Sequence, residues 1–312
     1  MPDSNTSLTG LYECLLTEKQ QEELQGLELS LTNKLINNQL LAALFRRHAE
    51  QALRRAIAEG LGEIESSENT QSVALMLQNA LSQLQGLPDN LKSPLVIPPV
   101  LLEAADVSPS PSGLAWSKVI RPASSFSQTT LFTGAQGEPS LVEEMRREIA
   151  SANEIDWLVS FVKWSGLNPL FNALEEFTQR GGKLRIATTT YMGATDAKAI
   201  LRLARLPNTE IYVSYDSKTT RHHAKTYIFR RPNGLSTAYT GSANLSKAAL
   251  SYGLEWTVKI TESTEPEVLD RMSTIFEAYV TDLERFERFD PERDRDRFID
   301  AIDEARAFRD GK

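Results

Sequence analysis

A single cysteine, Cys14, in 312 residues rules out an intrachain disulfide framework. No apolar run approaches the roughly 20 residues needed to cross a bilayer, so an integral membrane enzyme is not expected. The N-terminus lacks the basic and apolar stretches of a secretory signal, and a cytoplasmic setting is expected. The sequence has no HExxH helix, no paired cysteines and no EF-hand loop, so no metal site or cofactor is read from it. A GxxxxGKS or GxxxxGKT phosphate loop is missing too, so these residues encode no motor of that type. Histidine is scarce, with three in the chain: His48, His222 and His223.

Charge is unevenly placed. The net charge of -8 is unfavourable for a polyanion ligand taken as a whole. Yet the stretch from Ser217 to Arg231 holds Lys218, Arg221, Lys225, Arg230 and Arg231 and no acidic residue. Local potential governs encounter with an anion more than the total does. Acidic residues gather instead between Glu262 and Asp310.

Hydrophobic spacing divides the chain. From Asn33 to Leu61, Leu35, Ile36, Leu40, Leu44, Phe45, Leu53, Ala56 and Ile57 recur at helical spacing, which predicts an amphipathic helix with a buried stripe. A second periodic segment runs from Ser72 to Leu84 and stops before Gly86 and Pro88. Seven prolines between Ser93 and Ser140 bar long helices there and suggest a linker, with an extended apolar piece from Val96 to Leu102. Beyond Ser140 the pattern alternates. Helices are expected at 141–152, 168–179, 195–203 and 266–289. Strands are expected at 155–162, 183–188 and 210–215, around His223, around Ala238 and near Trp256. Such alternation indicates a parallel or mixed sheet with helices on both faces. The expected organisation is a mainly α-helical N-terminal region with linker at 1–115, an α/β domain at 116–290 and a charged helix or linker at 291–312.

The chemistry concentrates between Arg221 and Ser246, in RHHAKTYIFRRPNGLSTAYTGSANLS. His223 and Lys225 are two residues apart, so on a strand they share one face while His222 points to the other. The next strand ends in Gly241-Ser242-Ala243-Asn244, and Pro232-Asn233-Gly234 reads as the turn between them. An imidazole can attack phosphorus, an ammonium can neutralise a phosphate oxygen, and short polar groups can orient both. Lys163 and Trp164 fall where the first strand meets its helix, and Trp164 reads as core packing before a base-stacking platform.

This pattern resembles the phospholipase D superfamily, whose signature is HxK, four residues, Asp, then GSxN. His223, Lys225, Gly241, Ser242 and Asn244 match; the Asp position is Arg230. Nuclease branches that lack the Asp place a Glu downstream, which points to Glu255. The segments LFTGAQGEPSLVEEM, DWLVSFVKWSGL and RIATTTYMGATDAKAILRLARLPNTEIYVSYD are similar to phospholipase D-like nuclease domains that precede superfamily 2 helicases in bacterial restriction or phage defence. The resemblance implies a phospholipase D-like mixed sheet flanked by helices and a metal-independent phosphodiesterase, a DNA endonuclease of restriction or phage defence before an RNA enzyme. It also implies His223, Lys225, Ser242, Asn244 and Glu255 as catalytic residues, a helicase motor in cis or in trans, and no membrane partner. Nucleic-acid contacts are expected from Lys218, Arg221, Arg230, Arg231 and Lys163. Members use two HxK motifs, one histidine forming a phosphohistidine and the other protonating the leaving oxygen. With one motif here, a homodimer sharing its site is expected. A phospholipase or phosphatidyltransferase, and a catalytically weak nucleic-acid-binding module, are the alternatives. The tail FERFDPERDRDRFIDAIDEARAFRDGK reads as a helix, either joining a motor or solvated at a terminus.

Overall fold

The computed structural model describes residues 121–135, 137–216, 222–232, 234–246, 255–282 and 284–311, with isolated positions between 49 and 83. The chain divides into two compact units, 1–111 and 112–312. In the first, Ala49, Leu53 and Ile57 are helical, as are Ser72, Leu75, Met76, Gln78, Asn79, Ala80 and Ser82. Helical spacing is met at these positions, but Leu53 is 45% exposed and so does not belong to a buried stripe. The other expectations for the N-terminal region, including the piece from Val96 to Leu102, fall outside the described residues.

The second unit is built on one mixed sheet. In chain order its elements are β1 (Thr130–Phe132), α1 (Leu141–Ser151), β2 (Glu154–Val159), α2 (Trp164–Gln179), β3 (Lys183–Thr189), a 3-10 turn (Tyr191–Gly193) and α3 (Ala197–Leu203). Then follow β4 (Thr209–Ser214), β5 (Lys225–Arg230), β6 (Thr237–Gly241), β7 (Thr257–Thr261), α4 (Pro266–Thr281), β8 (Glu287–Phe289) and α5 (Arg295–Arg309). The eight strands lie in the order β1-β7-β6-β5-β2-β3-β4-β8. β2, β3 and β4 are parallel, and every other pairing is antiparallel. The α/β class expected from the motifs, a mixed sheet flanked by helices, is therefore the class observed, with β5 and β6 near the centre.

Period-two alternation sorts side chains to the two faces. Ile155, Trp157 and Val159 join Tyr227, Phe229 and Tyr239 in one core, together with Val142, Met145 and Ile149 of α1 and Leu167, Leu170 and Leu174 of α2. Leu158, Ile228 and Ala238 point the other way, onto Leu269, Phe276 and Val280 of α4. Each face is thus covered by helices, so residues of both parities along β2 and β3 are buried.

Two charge networks are embedded in these layers. Asp156, 1% exposed, accepts from Arg185 at 2.6 and 2.9 Å and from Arg230 at 2.7 Å, and Arg185 reaches Glu277 of α4 at 2.6 Å. Across the sheet, Glu148 of α1 accepts from Arg231 at 2.6 Å and from the Tyr239 hydroxyl at 2.8 Å, while Lys259 lies 3.3 Å away. Buried pairs of this kind add little net stability over apolar packing, but losing one partner is costly.

The structure corrects the sequence-based boundaries at three places. The helix expected at 168–179 starts earlier, at Trp164, because the Trp164 N–H is capped by Asp196 Oδ2 at 2.9 Å. The helix expected at 266–289 ends at Thr281. There the Asp282 side chain accepts the Glu284 N–H at 3.2 Å and turns the chain, so that Phe286 and Phe289 bury and β8 pairs with β4. Finally, residues 295–309 form neither a linker nor a wholly solvated helix: Phe298, Ile302 and Ala305 are buried, and Arg306 donates to the Gly193 carbonyl at 2.8 Å. Among the described residues no helix is long and apolar enough to cross a membrane.

Candidate active site

β2 and β5 run antiparallel with Val159 opposite Lys225, so the C-terminal end of β2 meets the N-terminal end of β5. Ser160, just past β2, donates through its N–H and its hydroxyl to the Ala224 carbonyl, both at 3.0 Å. That clamp fixes the backbone between His223 and Lys225. His223 itself precedes the strand and is exposed, its ring edge-on to Phe161 at 6.1 Å between centroids. Lys225 is 5% exposed. Its Nζ lies 3.0 Å from His223 Nδ1 and donates to the His223 carbonyl at 2.8 Å, with Ser160 Oγ at 3.5 Å. Burial lowers the Lys225 pKa below its usual value, opposed by the Glu255 charge.

The GSxN turn completes one wall. A Cβ on Gly241 would fall 2.0 Å from the Trp256 carbonyl oxygen, so the approach of β7 to the end of β6 requires glycine there. Ser242 is exposed, and its hydroxyl accepts the Trp256 N–H at 3.1 Å. The Ala243 carbonyl accepts the buried Tyr227 hydroxyl at 3.0 Å, and burial pushes that phenol well above its usual pKa. Asn244 is half-buried, and its Oδ1 is shut off from solvent with no hydrogen-bond partner among the described residues. Leu245 pairs with Val162 in an isolated parallel bridge and accepts the Lys163 N–H at 2.9 Å. Glu255 is half-buried, and its charge acts on Lys225 and Tyr227 through space.

His223 and Lys225 are therefore in direct contact, and Glu255 is near enough to act on the lysine. Ser242 and Asn244 stand on the adjoining turn that the Lys163 and Tyr227 contacts hold in place. His222 turns to the opposite side as alternation requires, edge-on to Tyr279 at 5.6 Å and Phe286 at 5.3 Å.

The cationic residues divide. Lys163 is exposed at the start of α2. Arg230 and Arg231, expected at a nucleic-acid surface, instead face interior carboxylates: the Arg230 side chain, 28% exposed, binds Asp156, and that of Arg231, 5% exposed, binds Glu148. Lys218 and Arg221 lie outside the described residues. Sequence reasoning missed Ser160, Phe161 and Tyr227, which carry no motif of their own and act through residues far along the chain.

Residues 145–280 match the family model described as cardiolipin synthase, PLD-like domain. The matched stretch runs from within α1 to near the end of α4. Similar solved structures include NucT from Helicobacter pylori, 18% identical, covering 52% of this chain and 99% of that one at a TM-score of 0.41. The phospholipase D family member Nuc from Salmonella typhimurium is 21% identical over 52% of this chain and 99% of that one, at 0.40. Phosphatidylserine synthase from Haemophilus influenzae is 11% identical over 52% of this chain and 39% of that one, at 0.39. No curated protein matches the chain in sequence.

Proposed function

We propose that the chain is a metal-independent phosphodiesterase, a DNA endonuclease of restriction or phage defence that works through a phosphohistidine. The observation that carries this is the contact of an exposed imidazole with a buried ammonium, His223 Nδ1 to Lys225 Nζ at 3.0 Å, beside the Ser242 to Asn244 turn. In the proposed reaction His223 Nε2 attacks phosphorus, a P–N bond forms, and the P–O bond to the leaving strand breaks. A second copy's His223 gives its proton to that leaving oxygen. It then takes a proton from the water that displaces the first histidine. Lys225 from each copy neutralises the non-bridging oxygens. Two copies are needed because this sequence supplies one HxK, and a two-fold axis would bring both into one site.

Supporting a second reading, the matched family model is described by a lipid-synthesising enzyme, which makes phosphatidyl transfer the alternative with the same groups. Cleavage of plasmid and single-stranded DNA in EDTA, by wild type and by His223→Ala, separates the two. EDTA-resistant cutting that the substitution abolishes supports the nuclease. Histidine-dependent release of phospholipid headgroups with intact DNA supports the alternative. DNA binding by both proteins without cleavage by either would make this a module that serves a helicase. Light scattering on the same samples reports the dimer.

A further inference from the structure

Trp164, the first residue of α2, carries two cations over its indole. Lys198 Nζ lies 5.1 Å from the ring centroid and the Arg202 guanidinium 4.7 Å, with Arg202 also 5.5 Å from Phe171. Lys198 and Arg202 are four residues apart on α3, where like charges repel on an isolated helix. A shared aromatic ring offsets that repulsion and holds both side chains without neutralising them. Lys198, Arg202 and nearby Lys163 are all exposed, and among the described residues none of them forms an ion pair. Asp196, two residues before Lys198, is half-buried, and its Oδ2 accepts the Trp164 N–H at 2.9 Å.

This ledge adjoins the candidate site. The Lys163 N–H donates at 2.9 Å to Leu245, the residue after Asn244, and two residues before Lys163 the Phe161 ring faces His223. In a chain of net charge -8, three exposed cations grouped around Trp164 beside the candidate site match a chain of phosphates better than a single one.

Resting on the phosphodiesterase reading above, we propose that Lys163, Lys198 and Arg202 bind the phosphate backbone of a nucleic-acid strand flanking the scissile bond, with Trp164 as the platform that holds the cations. The indole is thus a scaffold for charge and not a surface for a base. Substrates are accordingly polyanionic chains. A compound with one phosphodiester gains nothing from the ledge.

The test uses the full chain and a Lys198→Gln, Arg202→Gln double variant. Fluorescent oligonucleotides of about 20 nucleotides are titrated across a salt series, and hydrolysis of bis-p-nitrophenyl phosphate is followed in parallel. Losing two phosphate contacts should flatten the slope of log K against log salt by about 1.4 on single strands or about 1.8 on duplex. KM for the oligonucleotide should rise about tenfold at moderate salt, with kcat and bis-p-nitrophenyl phosphate hydrolysis unchanged. Arg202→Lys keeps the charge and should keep the slope; if it flattens the slope as much as Arg202→Gln, the effect is packing and the proposal fails. A wild-type slope in the double variant also overturns it. If wild type hydrolyses the small ester but does not bind oligonucleotides, the ledge proposal falls while the phosphodiesterase reading stands. If neither ester nor strand is cut, binding and its slope still decide the ledge.

Discussion

The Nζ of Lys225 is 3.0 Å from His223 Nδ1 and 2.8 Å from the carbonyl oxygen of the same histidine. As an ammonium, Lys225 can only donate, so Nδ1 must accept and the ring proton belongs on Nε2. A nucleophilic Nε2 needs the opposite tautomer. A phosphate oxygen that draws Nζ away would let Nδ1 take the proton and free the Nε2 lone pair. Tungstate, as a phosphate analogue, is therefore expected to shift His223 from the Nε2-H to the Nδ1-H form in nitrogen-15 NMR of the imidazole. An unchanged tautomer in saturated protein would end this account. Lys225→Met should lower kcat by about 100-fold or more with modest change in KM, as for loss of one charge-stabilising donor.

His222 gives a pH dependence of stability that is separate from catalysis. Burial, followed by the charges of Lys225, His223 and Arg285, lowers its pKa from 6.5 to about 4, and its Nε2 has no hydrogen-bond partner among the described residues. Between pH 6.5 and 4 the unfolded chain takes up a proton that the folded chain refuses. The unfolded state binds more protons there, so stability falls as pH falls through that window and is fully present above 6.5. His222→Phe keeps a ring between Tyr279 and Phe286 and removes the titration. Urea midpoints at pH 7 and pH 4.5 should differ less in the variant than in wild type. Equal differences would rule the histidine out as the cause.

How far the sequence carried can be judged from these residues. His223 and Lys225 were legible because strand periodicity and a nearby GSxN are local signals, and the alternation after Ser140 is punctuated by glycines. Long-range partners were not legible. Arg230 and Arg231 look like surface charge until Asp156 and Glu148, 74 and 83 residues away, are brought beside them. The start of α2 depends on a cap from Asp196, 32 residues downstream. β1 and β8 have three residues each, too few to display a period, and exist because a longer strand pairs with them.

The buried position of Arg231 has an energetic signature. Glu148 is fully buried between Arg231, Tyr239 and Lys259, so Glu148→Ala leaves the interior Arg231 without its carboxylate and Lys259 with Glu144 alone, at 3.6 Å. The expected loss is about 3–5 kcal/mol in urea unfolding. Arg231→Met, which leaves the carboxylate with Lys259 and the Tyr239 hydroxyl alone, should also destabilise beyond the roughly 0.5 kcal/mol of a surface change, while oligonucleotide affinity of the folded fraction stays at the wild-type value. A neutral effect of Arg231→Met on stability, with weakened DNA binding, would return this arginine to the surface role expected from the sequence.

Gly166 couples the start of α2 to the candidate site. Alanine normally stabilises a helix over glycine by up to about 1 kcal/mol. At Gly166 the added Cβ would lie 2.3 Å from the Ser246 N and 2.4 Å from the Leu245 carbonyl carbon, backbone atoms that no rotamer change can move aside. The sign should therefore reverse, with Gly166→Ala lowering Tm. Because Leu245 is also held by the Lys163 N–H, relief of the clash should push the segment after Asn244 away from α2 and shift the turn that carries Ser242 and Asn244. Catalytic rate should then fall by more than the loss of folded protein explains, when both are measured at a temperature where the variant remains folded. A variant with raised Tm and wild-type kcat would show that the contact between α2 and the GSxN turn positions nothing.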